Sequence, residues 1–194
     1  MKQKKNTDIK KLIQWYNQNK RSMPWRDTGN PYDVWLSEIM LQQTRIEAVK
    51  PKYIAFKNEL PDIASLASCD DDRLMRLWEG LGYYSRARNL KRCAMYLMEY
   101  YDGKLPDDFE LLKKLPGIGP YTAGAIASIA YNLPAPAIDG NVLRVLARYY
   151  GITDDIRLPK VKEMIGDKLN DFYSSKHPDS SYSSFNQGIM ELGE

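Results

Sequence analysis

The sequence predicts an all-α protein built from short helices. Apolar residues recur at spacings of three and four, no convincing alternating strand pattern or internal repeat appears, and capping residues punctuate the apolar runs. At 194 residues the chain can bury a substantial core, in one domain or in two compact lobes. An apolar fraction of 43% suits a folded chain, and no apolar run approaches the roughly 20 residues that a membrane helix needs. Met1-Lys2-Gln3-Lys4-Lys5 is basic but is followed by Asn6-Thr7-Asp8 instead of an apolar stretch, so no secretory signal is read and a cytoplasmic protein is expected. Lys and Arg number 28 against 25 Asp and Glu; the net charge of +3 leans only weakly toward a nucleic-acid partner.

Asp8 is placed to cap a first helix with Ile9, Leu12, Ile13, Trp15 and Tyr16 on one face, fraying by Asn19. Met23-Pro24-Trp25-Arg26 reads as a loop. Asn30 as cap, Pro31 in the first turn and Asp33 at the positive end of the dipole start a second helix, which runs to about 43 and holds Glu38 among Val34, Leu36, Ile39 and Met40. A third helix follows Arg45 to about 56, Leu60-Pro61 breaks it, and a short helix reaches 67. Asp70-Asp71-Asp72 caps the run through Leu74, Leu77 and Trp78; a metal site there is disfavoured because no oxygen-ligand loop surrounds it. Gly80-Leu81-Gly82-Tyr83-Tyr84 marks a turn before a long helix over 85–101. Asp107 and Asp108 open a short helix, and later helices are expected beyond Asn141 to about 149, over 160–172 and over 185–192. His177, in the polar segment 174–184, reads as a solvated loop residue, and Cys69 and Cys93 as reduced structural thiols.

Leu115-Pro116-Gly117-Ile118-Gly119-Pro120-Tyr121-Thr122-Ala123 reads as a hairpin between two helices. Gly117 and Gly119 permit positive φ and turn backbone N–H groups outward, and Pro120 suits the first turn of the next helix. The N–H groups of Gly117, Ile118 and Gly119 then form a cradle for phosphate, although a lone G-x-G also occurs in ordinary tight turns. Asp139 precedes the apolar run Val142, Leu143, Val145, Leu146 and so meets a helix N-terminus. Two carboxylates in unlike surroundings suit acid-assisted departure of a leaving group: Glu38 keeps its proton through desolvation, while Asp139 acts as the anion that stabilises a cation. An exposed helical glutamate is the other reading of Glu38. Arg86, Arg88 and Lys91 read either as phosphate contacts or as a solvated charged face.

Five separated stretches go further than any one motif. They are Pro24-Trp25-Arg26; Pro31-Tyr32-Asp33-Val34-Trp35-Leu36-Ser37-Glu38-Ile39-Met40-Leu41-Gln42-Gln43-Thr44-Arg45; Gly80-Leu81-Gly82-Tyr83-Tyr84-Ser85-Arg86-Ala87-Arg88-Asn89-Leu90; the hairpin with Asp139-Gly140-Asn141-Val142; and Phe185-Asn186-Gln187 with Glu191-Leu192-Gly193. Together they resemble the MutY-type A/G-specific adenine DNA glycosylases of the helix-hairpin-helix DNA glycosylase superfamily, over nearly the whole chain. The resemblance implies a two-lobed fold, one lobe over 28–135 and the other from 1–27 with 136–194, with the active site in the cleft between them. It implies that Glu38 protonates adenine at N7, that Asp139, supported by Asn141, stabilises the sugar cation, that Arg26 and Gln187 line the adenine pocket, and that Gln43 and Tyr83 enter the duplex. Tyr121 stands where bifunctional relatives of the endonuclease III kind hold a Schiff-base lysine, and a phenol cannot form that imine, so a monofunctional enzyme is implied.

The implied partner is double-stranded DNA with adenine opposite 8-oxoguanine or guanine, bound by a monomeric bacterial enzyme at the nucleoid. An alkali-metal ion on hairpin carbonyls is implied as well. Members of that family continue past this Leu-Gly into a four-cysteine segment holding a [4Fe–4S] cluster and then into a domain that reads 8-oxoguanine. Two cysteines cannot replace four thiolates, so the chain is expected to be an N-terminal catalytic part without a cofactor. A bifunctional glycosylase/lyase and a DNA-binding fragment inactive through truncation are the alternative readings.

Overall fold

The computed structural model describes residues 2–174 and 181–194; His177 and its neighbours in 175–180 lie outside the described residues. Helices and loops make up all of the described chain, with no strand among the described residues. In order the helices are α1 (Lys2–Asn19), α2 (Pro31–Leu41), α3 (Ile46–Glu59), α4 (Ile63–Ser68), α5 (Asp71–Trp78), α6 (Ser85–Tyr100), α7 (Phe109–Leu112), α8 (Pro120–Ala125), α9 (Gly140–Tyr150), α10 (Pro159–Ser174) and α11 (Tyr182–Gly193). A π-helical turn, Ile126–Ala130, continues α8.

The helix starts follow from capping. Asn30 Oδ1 accepts the Tyr32 N–H at 2.9 Å with Pro31 in the first turn, Asp62 and Ser65 form a reciprocal capping box, Asp70 accepts from Arg73 N–H, and Asp108 from Leu111 N–H. Ser181 does the same for α11 through Ser184. The first helix departs from expectation: α1 begins at Lys2, and Asp8, instead of capping it, accepts the Tyr149 hydroxyl at 2.8 Å.

The chain divides into two compact units. One holds Ser22–Ile126; the other holds the residues up to Arg21 together with those from Ala127 onward. The boundaries fall earlier than the expected 28 and 135 for packing reasons. Trp25 lies edge-on to Tyr53 at 5.2 Å and Met23 is buried, which ties that loop to the first unit, whereas Asn186 Nδ2 donates to the Ala135 carbonyl at 2.9 Å and ties the segment before α9 to the second. In the first unit α2 is buried on nearly all sides, with Trp35, Leu36 and Met40 sealed and Asp33 paired to Lys57 of α3. In the second, Val142, Leu146, Ile165, Leu169, Phe185 and Ile189 form the core shared by α9, α10 and α11. Gly188 lets α11 close on α1: a Cβ there would sit 3.2 Å from that of Tyr16.

Candidate active site

Glu38 projects from α2 between the buried Ser37 and Ile39 and is half-buried, not a freely exposed helical glutamate. Its Oε2 accepts the Tyr121 hydroxyl at 2.7 Å. Tyr121 is in the first turn of α8, and the fully buried Ala123, Ala125 and Ile126 let that helix settle into the unit that α2 also belongs to. The hairpin thus delivers a phenol to the Glu38 carboxyl. An O–H···O bond of this length fixes the carboxyl rotamer.

In the other unit Asp139 caps α9 from an extended backbone. Its Oδ1 accepts the Val142 N–H at 2.8 Å, and its Oδ2 accepts Asn141 Nδ2 at 2.9 Å. Asn141 is oriented in turn: Arg144 bonds its Oδ1 and also donates to the Gly193 carbonyl at 2.8 Å. Both carboxylate oxygens therefore act as acceptors, with the dipole of α9 behind them. Arg144 escaped the sequence reading, and Gly193 entered it only within its terminal motif, though Arg144 follows Asn141 by three, the helical spacing that brings two side chains together.

The hairpin turn is built differently from its expected cradle. Gly117 does take positive φ, at +76°, but Gly119 sits at −88° in extended backbone and caps α8. The Ile118 N–H is already donated to the Leu115 carbonyl at 3.2 Å, so of the three amides proposed for phosphate this one is spent within the turn.

Arg86 corrects a second expectation. Only 9% exposed, it faces no solvent phosphate: Nη1 donates to the carbonyls of Ile39, Met40 and Gln42, and Nη2 to those of Leu81 and Gly82 and to Thr44 Oγ1. It serves as the C-terminal cap of α2 while gripping the turn before α6. Burial lowers its pKa from the ordinary arginine value. Lys91 is likewise engaged, with Asp71, while Arg88 is exposed on α6. Gln43 and Tyr83 are exposed and both hold positive φ, +57° and +45°, a conformation that costs a non-glycine residue roughly 1–3 kcal/mol unless its surroundings impose it. Arg26 is half-buried in its loop, and Gln187 on α11 donates to Ser183 Oγ at 3.1 Å.

The [4Fe–4S] cluster that the resemblance implies does not fit the residues present. It needs four thiolates; the chain has two cysteines, both buried, and burial pushes the Cys93 thiol up to about 12. Among the described residues no three His, Cys, Asp or Glu side chains stand together as a metal site.

The family model for HhH-GPD superfamily base excision DNA repair proteins matches residues 36–170, which include Glu38, the hairpin, Asp139 and Asn141. The chain belongs to the HhH-GPD superfamily. Among curated relatives, this HhH-GPD chain is 40% identical over 183 residues to the adenine DNA glycosylase of Buchnera aphidicola (Acyrthosiphon pisum strain), covering 94% of itself and 51% of that protein. It is also 40% identical over 191 residues to the adenine DNA glycosylase of Mus musculus, of which it covers 36%. The chain thus spans about half the length, or less, of the curated relatives it matches. A thermostable thymine-DNA glycosylase shares the HhH-GPD fold at a TM-score of 0.83 with 25% identity, over 99% of this chain and 87% of that one. A non-covalent endonuclease III–DNA complex shares it at 0.73, over 97% and 84%, with 19% identity, a likeness of fold alone.

Proposed function

We propose that the chain is the catalytic part of a monofunctional adenine DNA glycosylase, acting as a monomer on double-stranded DNA that carries adenine opposite 8-oxoguanine or guanine. The observation that carries this reading is the 2.7 Å bond from Tyr121 to Glu38: the hairpin position expected to hold a Schiff-base lysine in a lyase instead presents a phenol to the acid. The relatives named as adenine DNA glycosylases support adenine as the base.

In this reading adenine leaves the duplex stack, as chemistry on a base requires. Glu38, with Oε2 held by Tyr121, delivers its proton from Oε1 to a ring nitrogen, and the C1′–N9 bond breaks with its electron pair passing to the neutralised purine. The sugar is left as an oxocarbenium ion, which Asp139, held by Asn141 and the Val142 N–H, stabilises or briefly bonds. Water then adds at C1′, releasing a proton and leaving an abasic site.

The test is single-turnover excision from a duplex with adenine opposite 8-oxoguanine. Adenine release that falls on the order of a hundredfold or more in Glu38→Gln and in Asp139→Asn is expected. Release unaffected by both substitutions, or a robust covalent adduct after borohydride treatment, would falsify the reading.

A further inference from the structure

Gln43 and Tyr83 lie on different loops, one following α2 and one preceding α6, yet they share two properties: exposure and left-handed backbone. Tyr83 is 62% exposed, unusual for a bulky ring on a strained residue. Strained exposed residues persist where something buried imposes them. Here one group does so for both, because the Arg86 guanidinium holds the carbonyl immediately before each, that of Gln42 at 2.6 Å and that of Gly82 at 3.2 Å. Thr44 Oγ1 joins the same node, accepting from Arg86 Nη2 at 3.2 Å and lying 3.4 Å from the Leu81 carbonyl. Trp78 Nε1 also donates to the Gly82 carbonyl at 3.1 Å, and the guanidinium lies over the Tyr83 ring at 5.6 Å.

We infer that Arg86 is a positioning residue that presets Gln43 and Tyr83 as a rigid two-pronged wedge for a stacked base pair, so that the energy of ordering the two loops is spent in folding and not at the moment of base extrusion. An exposed aromatic and an amide on stiff supports are what opening a duplex step requires: the ring replaces lost stacking and the amide replaces lost base hydrogen bonds. The planar fork is essential, since a lysine ammonium cannot reach six acceptors spread over the end of α2 and two loops. The inference rests on the reading of the chain as a DNA glycosylase, and it separates extrusion, which Arg86 serves, from bond cleavage, which Glu38 and Asp139 serve.

The experiment compares the unsubstituted chain with Arg86→Lys and Thr44→Val in two assays. In the first, 2-aminopurine replaces adenine opposite 8-oxoguanine and its fluorescence rise on unstacking is timed; in the second, adenine is excised from a one-base bulge, where little extrusion is needed. Arg86→Lys is expected to slow the fluorescence rise roughly tenfold or more, as misplacement of a positioned group does, while bulge excision stays within about twofold. Thr44→Val, which removes one acceptor from the node, moves the first assay in the same direction by less, and carries the test should Arg86→Lys not fold. Equal fluorescence rates in all three chains overturn the inference, as does a parallel loss in both assays, which would mark Arg86 as a general stability residue. If the unsubstituted chain neither extrudes 2-aminopurine nor excises from the bulge, the glycosylase reading itself falls and this inference with it.

Discussion

Replacing Tyr121 by phenylalanine removes one hydroxyl and keeps the ring, so it isolates the bond to Glu38. A hydrogen bond to a charged group contributes about 1.5–3 kcal/mol, which corresponds to an excision rate lowered roughly ten- to a hundredfold if the bond acts in the transition state. Single-turnover rates with circular dichroism unchanged would show it, and an unchanged rate would mean that the acid is held by other groups. Asn141→Ala removes the donor to Asp139 Oδ2 and the partner of Arg144 together. Its expected effect is at least as large, because the carboxylate then keeps only the Val142 N–H among these bonds. Both substitutions should act on the chemical step and leave duplex affinity nearly unchanged.

At the level of elements, two glycines report how tightly the site is clamped. Gly117 has φ +76°, and a Cβ there would approach that of Asn89 to 3.0 Å; Gly117→Ala therefore costs about 1–3 kcal/mol, and a domain of this size loses roughly 2–4 °C in Tm per kcal/mol. Gly193 has a different problem, since its Cβ would meet the Asn141 backbone at 2.7 Å, so Gly193→Ala forces α11 away from the start of α9. A lower Tm together with slower excision is the expected result there, measured by thermal denaturation and single-turnover assay; Gly29→Ala, strained by its φ of +64° but with a Cβ that would meet nothing within 4 Å, is expected to lower Tm without slowing excision. Four helix starts were legible in the sequence because capping is local: Asn30, Asp70, Asp108 and Asp139 each act within three residues, whereas α1 begins ahead of Asp8 and the Asp62 cap was not read. The role of Arg86 was not legible. It and Arg88 lie two apart on one helix, and only tertiary structure turns the first inward onto carbonyls from more than forty positions away while leaving the second exposed. The Arg144–Gly193 link is hidden for the same reason, since it joins residues 49 apart.

For the whole molecule, the net charge of +3 supplies little long-range attraction to a polyanion, so selectivity must come from geometry held in each unit. The two cysteines offer a way to follow one unit alone, because Cys69 and Cys93 both lie within Ser22–Ile126. Burial raises both thiols, Cys93 from 9.0 to about 12, and outweighs the lowering pull of Arg73 and Lys91 on Cys69 and of Arg92 on Cys93. A group whose folded pKa is raised contributes stability fully present below its unfolded value, so the Cys93 contribution is intact below pH 9 and is lost as the pH climbs toward 12. At pH 9, where half of an unfolded Cys93 population would be thiolate, native protein should therefore react slowly with an aromatic disulfide reagent, and both thiols should react at once when denaturant is added. Raising the pH further should bring the labelling rate up together with the loss of near-ultraviolet dichroism, because the thiolate forms as its burial is given up. Rapid stoichiometric labelling of two thiols at pH 9 with the dichroism intact would show that the unit opens locally around α6 far more readily than the sealed packing of Cys93, Ala94 and Leu97 allows.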